Sequence, residues 1–553
     1  MVSSGPGETG GSGYRAHDRD VDGATGTQTP PSVPVRLRTS FHQADAPDYR
    51  RPGGAWDVPP LDRLLATPRP ATGPAVVDGD VVLDHATLDS LASAVAGGLR
   101  ALGVRHRDVV AWQLPNWWEA IVLFHACWRC GAVAAPVHHQ VGSAEVERIL
   151  AELDPAVLLA SAGLPLADVS GPTPVIGVRD GDPRFAALLA GRPTPGGTAR
   201  GADIGVILFT SGSTGNPKAV LHSHRGLAYK ARSMADAHGL TTDDVALMPS
   251  PLAHISGLLN SVLVPGAAGM PVVLMEKWDA DLAADLAGRH RASFMIGPPT
   301  IFLALMDVPG YRRQVEHLRI VSCGSMGVTP EFIDTAREGL GALVKRTYGS
   351  TEAPTVTTSA WWDPADKARD TDGHSVGGAA VRVVDPAGDQ PVAAGVRGEV
   401  QVRGPELFVG YGDGSQTREA VRRGWFSTGD LGVLDEEGWL TIGGRIKELI
   451  IRGGENIASA EVERVLEQHP GVRQAVVVGR PDERFGERVV AFVVADRDVD
   501  VDACRRWFAD QGVARFKTPE YVVHVDEVPV LGVGKPDRPE LRRRAEALDD
   551  APR

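Results

Sequence analysis

The chain has 553 residues, of which 43% are hydrophobic and 23% charged, and its formal net charge is −13 at pH 7. This length predicts two or more domains, because a single core stops growing well before it. The negative charge disfavours nucleic acid and anionic membranes as main partners. The four cysteines are too few for a disulfide framework, and we interpret Cys127 and Cys130, within an apolar helical stretch, as core thiols. Neither a leader nor an apolar run of ~20 residues is recognised, so a cytoplasmic protein without a membrane span is the default prediction.

The first part of the chain is predicted to fold as two wound α/β subdomains. Residues 1–45 are rich in glycine, proline and polar residues and are predicted to be a disordered tail. From there strands and helices alternate, which is typical of wound sheets. We predict a hairpin over 74–85, helices over 84–103 and 117–131, and strands at 108–114, 134–137, 156–160, 174–178, 245–248, 271–275, 293–297, 318–324 and 343–349.

The pattern changes in the last third of the sequence. Residues 376–442 contain short apolar segments separated by turns, which predicts a small β-barrel or sheet. A separate small α+β module follows, with helices predicted over 459–468 and 501–512. We therefore divide the folded chain into an N-terminal domain over 46–443 and a mobile C-terminal domain over 444–553.

One loop carries the strongest local signal. A strand-like run at 206–209 leads into hydroxyl-bearing residues, glycines and one cation. Glycines let backbone N–H groups turn inward, and hydroxyls and a lysine add donors, so the pattern favours polyphosphate binding. The spacing is not that of Walker A. We expect a helix to follow this loop, which contains Thr210, Ser211, Gly212, Ser213, Thr214, Gly215 and Lys218.

Further stretches are weak alone but informative together. His254 lies in P-L-A-H-I-S-G-L, and Glu352 ends T-Y-G-S-T-E after a predicted strand. A carboxylate near a phosphate loop suggests Mg²⁺, and Asp430 in W-F-S-T-G-D-L-G suits ribose hydroxyls. A charged, glycine-rich stretch covers 443–457, and Lys535 lies on a glycine-containing turn, V-L-G-V-G-K-P-D-R.

In this order, these motifs closely resemble the adenylate-forming superfamily, which includes acyl-CoA synthetases, firefly-type luciferases and peptide-synthetase adenylation domains. The resemblance spans about residues 60–545, and L-P-N-W-W-E and P-L-A-H-I-S-G-L are most similar to stand-alone acyl-CoA ligases. It implies ATP-dependent activation of a carboxylic acid to an acyl-adenylate with release of pyrophosphate, followed by transfer to the thiol of CoA. ATP, Mg²⁺ and CoA are the implied cofactors.

The resemblance also implies residue roles. The loop from Thr210 to Lys218 would hold the β- and γ-phosphates, and Lys535 would reach the reacting carboxylate and α-phosphate. His254 would lie beside the carboxylate, and Lys447 at the hinge between the domains. The remaining implied nucleotide contacts are Thr351 at the α-phosphate, Glu352 at Mg²⁺, Asp430 and Arg445 at the ribose, and Gly324, Ser325 and Tyr348 around the adenine, with Gly349 as a further ATP-binding residue.

The chain departs from the family pattern at three places, none of which removes a charged catalytic group. Ala219 stands where glycine is frequent, and Ser459 where proline is usual. The segment before Lys535 is V-L-G-V-G instead of a P-R-T-x-x-G type. Every charged catalytic group is retained, which predicts intact adenylation, whereas the altered C-terminal loops leave the thioester-forming step open.

The stretch around His254 also bears on the substrate. Amino-acid-activating domains commonly place an aspartate there, and residues 253–255 contain no acid. Because a buried unpaired ammonium is costly, we predict a hydrophobic acid without an α-amino group. Aliphatic, alicyclic, aryl and terpenoid acids remain open. The expected pocket walls are Ile255, Ser256, Leu259, Gly297, Pro298, Cys323, Met326 and Pro354.

Several alternatives stay open at this point. The nearest is adenylation alone, with transfer to a carrier protein or separate thiolation partner. A luciferase-like oxygenase and a catalytically silent nucleotide-binding protein rank lower, and the retained charged residues count against the latter. The sequence leaves homodimer formation and the pathway undecided.

Overall fold

The computed structural model describes residues 46–66, 73–168, 173, 175–211, 217–324, 328–452, 455–482, 484–531 and 535–548. The predicted tail over 1–45 lies outside these residues. Within them the chain forms four β-sheets with helices between them. Before the first sheet come a short helix at Ala46–Arg50 and a 3₁₀ turn at Leu61–Ala66.

The first sheet has seven strands, and its central strands are parallel and buried. Such strands are rich in valine, alanine and leucine because helices cover both faces. In sheet order the strands are Gly410–Tyr411, Pro217–Ser223, Ile204–Ser211, Val133–Val137, Val109–Gln113, Val157–Ser161 and Val175–Val178. The helices in this part of the chain are His85–Ala101, Trp118–Cys130, Ser143–Leu153, Pro183–Leu189 and His224–His238, with a 3₁₀ turn at Pro165–Asp168.

The second sheet has nine strands and ends on the predicted hairpin, whose two strands pair antiparallel. In sheet order they are His374–Ser375, Thr357–Thr358, Leu343–Tyr348, Ile320–Cys323, Phe294–Gly297, Ala246–Met248, Val272–Leu274, Pro74–Asp78 and Val81–Asp84. The helices in this part are Ile255–Leu258, which continues through a π-helical turn at Leu259–Leu263 into Val264–Ala268, then Ala280–His290, Pro299–Met306, Tyr311–Gln314, Pro330–Leu340 and Ala365–Asp370.

Two smaller sheets follow. The third is an antiparallel sheet of Ala380–Val384, Gly398–Arg403, Trp425–Leu434, Val421–Arg422 and Leu440–Arg445, with a helix at Gly414–Ala420. The fourth contains Glu455–Ala458, Leu449–Arg452, Gly486–Ala495, Val472–Asp482 and Tyr521–His524. It packs with helices Ser459–Glu467, Val501–Asp510 and Arg538–Glu546, and 3₁₀ turns lie at Ile446–Glu448 and Arg515–Lys517.

The predicted fold class is confirmed, since a large α/β region precedes a smaller α+β domain. The helix expected after the phosphate loop is present at His224–His238, but an unpredicted strand precedes it. This strand, Pro217–Ser223, pairs antiparallel with Ile204–Ser211, and we call these two strands the phosphate hairpin. Cys127 and Cys130 are buried free thiols on the helix Trp118–Cys130, as expected. None of the helices within the described ranges combines the length and apolar character needed to cross a bilayer.

Candidate active site

The two residues at the ends of the candidate phosphate loop lie opposite each other on paired strands. Thr210 and Lys218 are register partners on the two strands of the hairpin. The Lys218 ammonium lies 5.1 Å from the centre of the Tyr411 ring, which fixes its position by a cation–π contact. Four of the predicted loop residues lie outside the described residues: Gly212, Ser213, Thr214 and Gly215. The structure therefore describes only the two strands that flank the loop.

Glu352 is held from two directions. Its backbone carbonyl accepts a hydrogen bond from the Phe408 N–H at 2.8 Å. Its carboxylate Oε1 accepts the Tyr411 hydroxyl at 2.7 Å. Tyr411 is therefore shared between Glu352 and Lys218, and it links the two sequence motifs that were expected to handle phosphate and metal.

Thr351 is fixed through its backbone. The Nε2–H of the buried His222 donates to the Thr351 carbonyl at 2.8 Å. His222 belongs to the strand Pro217–Ser223, so the strand that closes the phosphate hairpin also positions the T-E dipeptide. Burial lowers the pKa of His222 to about 4, which keeps the ring neutral.

Asp430 and Arg445 face each other on adjacent antiparallel strands. Arg445 Nε donates to Asp430 Oδ1 at 2.8 Å, and the Tyr348 hydroxyl donates to Asp430 Oδ2 at 2.8 Å. Burial raises the pKa of Asp430, while Arg445 and Tyr348 oppose that shift. The predicted ribose residues and the predicted adenine neighbour Tyr348 thus form one hydrogen-bonded group.

Lys535 approaches this group from the C-terminal domain. It follows the fourth sheet in sequence, and its backbone carbonyl accepts the Leu531 N–H at 2.7 Å. Residues 532–534 lie outside the described residues. Desolvation and the charge of Arg445 lower the pKa of Lys535, whereas Asp430 and Glu352 act in the opposite direction. Lys535 therefore lies close enough to Glu352, Asp430 and Arg445 for their charges to shift its pKa.

His254 also belongs to this region. It precedes the short helix Ile255–Leu258, and burial together with the charge of Lys535 lowers its pKa to about 4. The segment is tied to the L-P-N-W-W-E motif, because Asn116 donates to the Ser250 carbonyl at 3.0 Å and accepts the Leu252 N–H at 2.8 Å. The two stretches that resemble stand-alone ligases are thus held together by one buried amide.

The expected acyl-pocket residues fall into different environments. Gly297 and Cys323 are register partners at the ends of adjacent parallel strands, and the Gly324 N–H donates to the Gly297 carbonyl at 3.3 Å. Cys323 is fully buried in a hydrophobic cluster with Ile301. Leu259 and Pro354 are also buried, while Ile255, Ser256 and Pro298 are half-buried. Ser325 and Met326 lie outside the described residues, and Gly349 is exposed.

Lys447 lies in the 3₁₀ turn Ile446–Glu448, between the last strand of the third sheet and the first strand of the fourth. The next residue is anchored by one of the departures from the family pattern. The Ser459 hydroxyl donates to the Glu448 carbonyl at 2.8 Å, so serine contributes a hydrogen bond that proline could not make.

Comparisons with known proteins show which family the chain belongs to. Residues 66–412 match the family model described as AMP-binding enzyme, and residues 461–535 match the AMP-binding enzyme C-terminal domain. The chain belongs to the AMP-binding enzyme family. The predicted resemblance to adenylate-forming enzymes is therefore confirmed.

Individual relatives cover almost the whole length of this AMP-binding enzyme. A medium-chain fatty-acid–CoA ligase of Escherichia coli (strain K12) is 31% identical, over 92% of this chain and 94% of its own. An indoleacetate–CoA ligase of Aromatoleum aromaticum is 34% identical, over 83% and 93%. The crystal structure of ATP-bound MatB from Rhodopseudomonas palustris superposes with a TM-score of 0.82 at 28% identity, covering 88% and 98%. These relatives confirm the predicted enzyme class, an AMP-forming acid–CoA ligase.

Proposed function

We propose that this enzyme activates a hydrophobic carboxylic acid without an α-amino group to an acyl-adenylate and then transfers the acyl group to CoA. The observation that carries the proposal is the hydrogen-bonded group of Tyr348, Asp430 and Arg445. Lys535 lies close enough for the charges of Arg445, Asp430 and Glu352 to shift its pKa. Two anions, a carboxylate and a triphosphate, must approach each other in the first step. A lysine brought to that position by the C-terminal domain provides the charge that such an approach requires.

In the first step a carboxylate oxygen bonds to the α-phosphorus and the bond to pyrophosphate breaks. The hairpin between Thr210 and Lys218 would hold the leaving pyrophosphate, and the Asp430 carboxylate would accept the ribose hydroxyls. In the second step the CoA thiol bonds to the acyl carbon, AMP leaves, and the thiol proton passes to solvent. No protein nucleophile is required, because the catalytic effect comes from alignment and charge.

Mg²⁺ fits the donor set around Glu352. The described residues contain no group of three His, Cys, Asp or Glu side chains arranged for a metal. Glu352 uses Oε1 for Tyr411, which leaves its second oxygen for a cation. Mg²⁺ is commonly held by one or two carboxylates together with substrate phosphates, and it would neutralise phosphate charge there.

We further propose a domain boundary at residues 443/444, with Lys447 as the hinge. Movement of the C-terminal domain would withdraw Lys535 after adenylation and admit the thiol, and its closure would shield the adenylate from water. The Ser459 hydroxyl on the Glu448 carbonyl stiffens the residue next to this hinge. A cytoplasmic location also remains a prediction, and cell fractionation tests it.

A panel of carboxylic acids in a pyrophosphate-release assay, with and without CoA, tests the function. We expect release with hydrophobic acids and thioester formation when CoA is added. Pyrophosphate release without any thioester would favour transfer to a carrier protein. Preferential activation of amino acids would contradict the substrate class.

A further inference from the structure

Three histidine rings meet beside the candidate site. The ring centres of His138 and His139 lie 4.5 Å apart and stacked, and His254 meets the His138 ring edge-on at 4.8 Å. His138 directly follows the buried strand Val133–Val137. That strand pairs in parallel with Ile204–Ser211, which leads into the phosphate hairpin. His138 therefore lies at the same sheet edge as Thr210, on the side of His254.

The His138 backbone is firmly positioned. The side-chain amide of Gln113 donates to the His138 carbonyl at 3.0 Å and to the Val141 carbonyl at 3.2 Å. Gln113 is completely buried, and its Oε1 accepts the Leu166 N–H at 2.8 Å. A single glutamine thus fixes the backbone of the turn that carries the two histidines.

The hydrogen bonds also determine which ring nitrogen of His138 carries the proton. Nδ1 accepts the Gln140 N–H at 3.1 Å. In a neutral imidazole the proton then resides on Nε2, which becomes a donor. Burial and the neighbouring histidines lower the pKa of His138 to about 3, in agreement with a neutral ring.

This Nε2–H group is buried and has no hydrogen-bond partner among the residues that the structure describes. A buried donor without an acceptor destabilises a protein, so such a group indicates an acceptor that arrives with a ligand. The ring next to it, His254, lies in the electrostatic field of Lys535. A lysine and a neutral N–H donor on one side of a site together suit an anionic oxygen.

We propose that His138 is a further substrate-binding residue, which donates its Nε2–H to an anionic oxygen where the carboxylate meets the α-phosphate. The inference rests on the proposed function and deepens it. This oxygen belongs either to the carboxylate of the acid or to the α-phosphate of ATP, because both present an anionic oxygen where the two groups meet. The step involves a hydrogen bond only, and no proton leaves His138.

Three variants separate the donor from the shape of the ring. His138→Phe keeps an aromatic ring in the stack without a donor, whereas His138→Gln keeps an N–H at a similar reach. His139→Phe is the matched control, because it changes the neighbouring ring. Steady-state pyrophosphate release is measured with the best acid of the panel, varying acid and ATP separately. For His138→Phe we expect kcat/KM to fall about 10- to 100-fold, the range for a hydrogen bond to a charged group.

We expect His138→Gln to recover most of the loss and His139→Phe to stay within about threefold of the wild type. A rise confined to the KM of the acid assigns the oxygen to the carboxylate, and a rise confined to the KM of ATP assigns it to the α-phosphate. Equal activity of His138→Phe and wild type, or equal losses in the Phe and Gln variants, overturns the proposal. His138→Met provides a second donor-free variant if thermal unfolding shows that the Phe variant does not fold. A wild-type protein that releases no pyrophosphate with any acid contradicts the proposed function instead.

Discussion

The Tyr348 hydroxyl and the Asp430 carboxylate, 82 positions apart, are joined by a hydrogen bond of 2.8 Å. Arg445 occupies the other carboxylate oxygen at 2.8 Å. Each carboxylate oxygen has more than one lone-pair direction, so ribose hydroxyls can bind while both protein donors remain. The two hydrogen bonds orient the Asp430 carboxylate before the nucleotide binds. ATP binding therefore loses less side-chain entropy than it would with a freely rotating aspartate.

Replacement of this acid gives the first prediction. Asp430→Asn should raise the KM for ATP about tenfold or more, because a charge-assisted acceptor for the ribose is lost. Tyr348→Phe is the control, and its effect should be smaller, since Arg445 still orients the carboxylate. Pyrophosphate release at varied ATP measures both. An unchanged KM for ATP in Asp430→Asn would exclude a ribose contact.

The second prediction concerns the cation at Glu352. Glu352→Gln should raise the Mg²⁺ concentration needed for half-maximal pyrophosphate release, because a neutral amide oxygen is a weaker ligand than a carboxylate. Tyr411→Phe should have a weaker effect in the same direction, because it removes the hydroxyl that orients Oε1. A Mg²⁺ titration at fixed ATP compares the three proteins. Identical titration curves would exclude Glu352 as a ligand.

Much of the fold could be predicted because its buried parallel strands give a strong local signal. Short valine- and leucine-rich runs such as Val109–Gln113 alternate with amphipathic helices, and the structure contains them within a residue or two of the prediction. The strand Pro217–Ser223 was missed. It begins with proline and lysine and contains histidine, and it becomes a strand because Ile204–Ser211 and Gly410–Tyr411 pair with its two edges.

Some residues of the candidate site could likewise be predicted from the sequence, and others could not. Residues within dense motifs, such as Glu352 and Asp430, could be selected from the sequence. Tyr411 could not, because nothing near it in sequence indicates that its hydroxyl meets a carboxylate 59 positions away. His138 did carry a readable signal, since a polar pair directly after a buried strand of a wound sheet lies at the edge where ligands bind.

A third prediction concerns stability and uses a buried cation away from the site. Lys345 is fully buried and donates to the Ser359 carbonyl, and burial lowers its pKa to about 7. Its folded-state pKa lies below the unfolded value, so the unfolded chain binds more protons between these values and stability rises with pH there. Below pH 7 Lys345 is charged in the folded protein, and the full free-energy cost of burying that charge is present. Relative to the wild type, the Lys345→Met variant should therefore have a higher free energy of unfolding at pH 6 than at pH 9.

Chemical denaturation at the two pH values tests this prediction, with an exposed lysine, Lys277→Met, as the control for the loss of one positive charge. The control should show about the same difference at both pH values. An equal difference for Lys345→Met at pH 6 and pH 9 would contradict the lowered pKa of this residue.

The pH dependence of adenylation gives the fourth prediction. Desolvation and Arg445 lower the pKa of Lys535 below the ordinary lysine value. Because the protonated form provides the charge, the adenylation rate should fall as the pH rises through this lowered pKa. Lys535→Arg stays charged, so its residual activity should lack that alkaline limb. A limb that persists unchanged in Lys535→Arg would assign the titration to another group.

The last prediction separates the two half-reactions. Lys535→Ala should reduce acyl-adenylate formation by about 10²- to 10³-fold, as expected for the loss of one preformed transition-state charge. Thioester formation from preformed acyl-AMP and CoA should suffer much less, because the lysine would have withdrawn by then. Each half-reaction is measured alone, the first by pyrophosphate release and the second by thioester product. Equal losses in both would mean that Lys535 stays at the site throughout, and a domain movement about Lys447 would then be unnecessary.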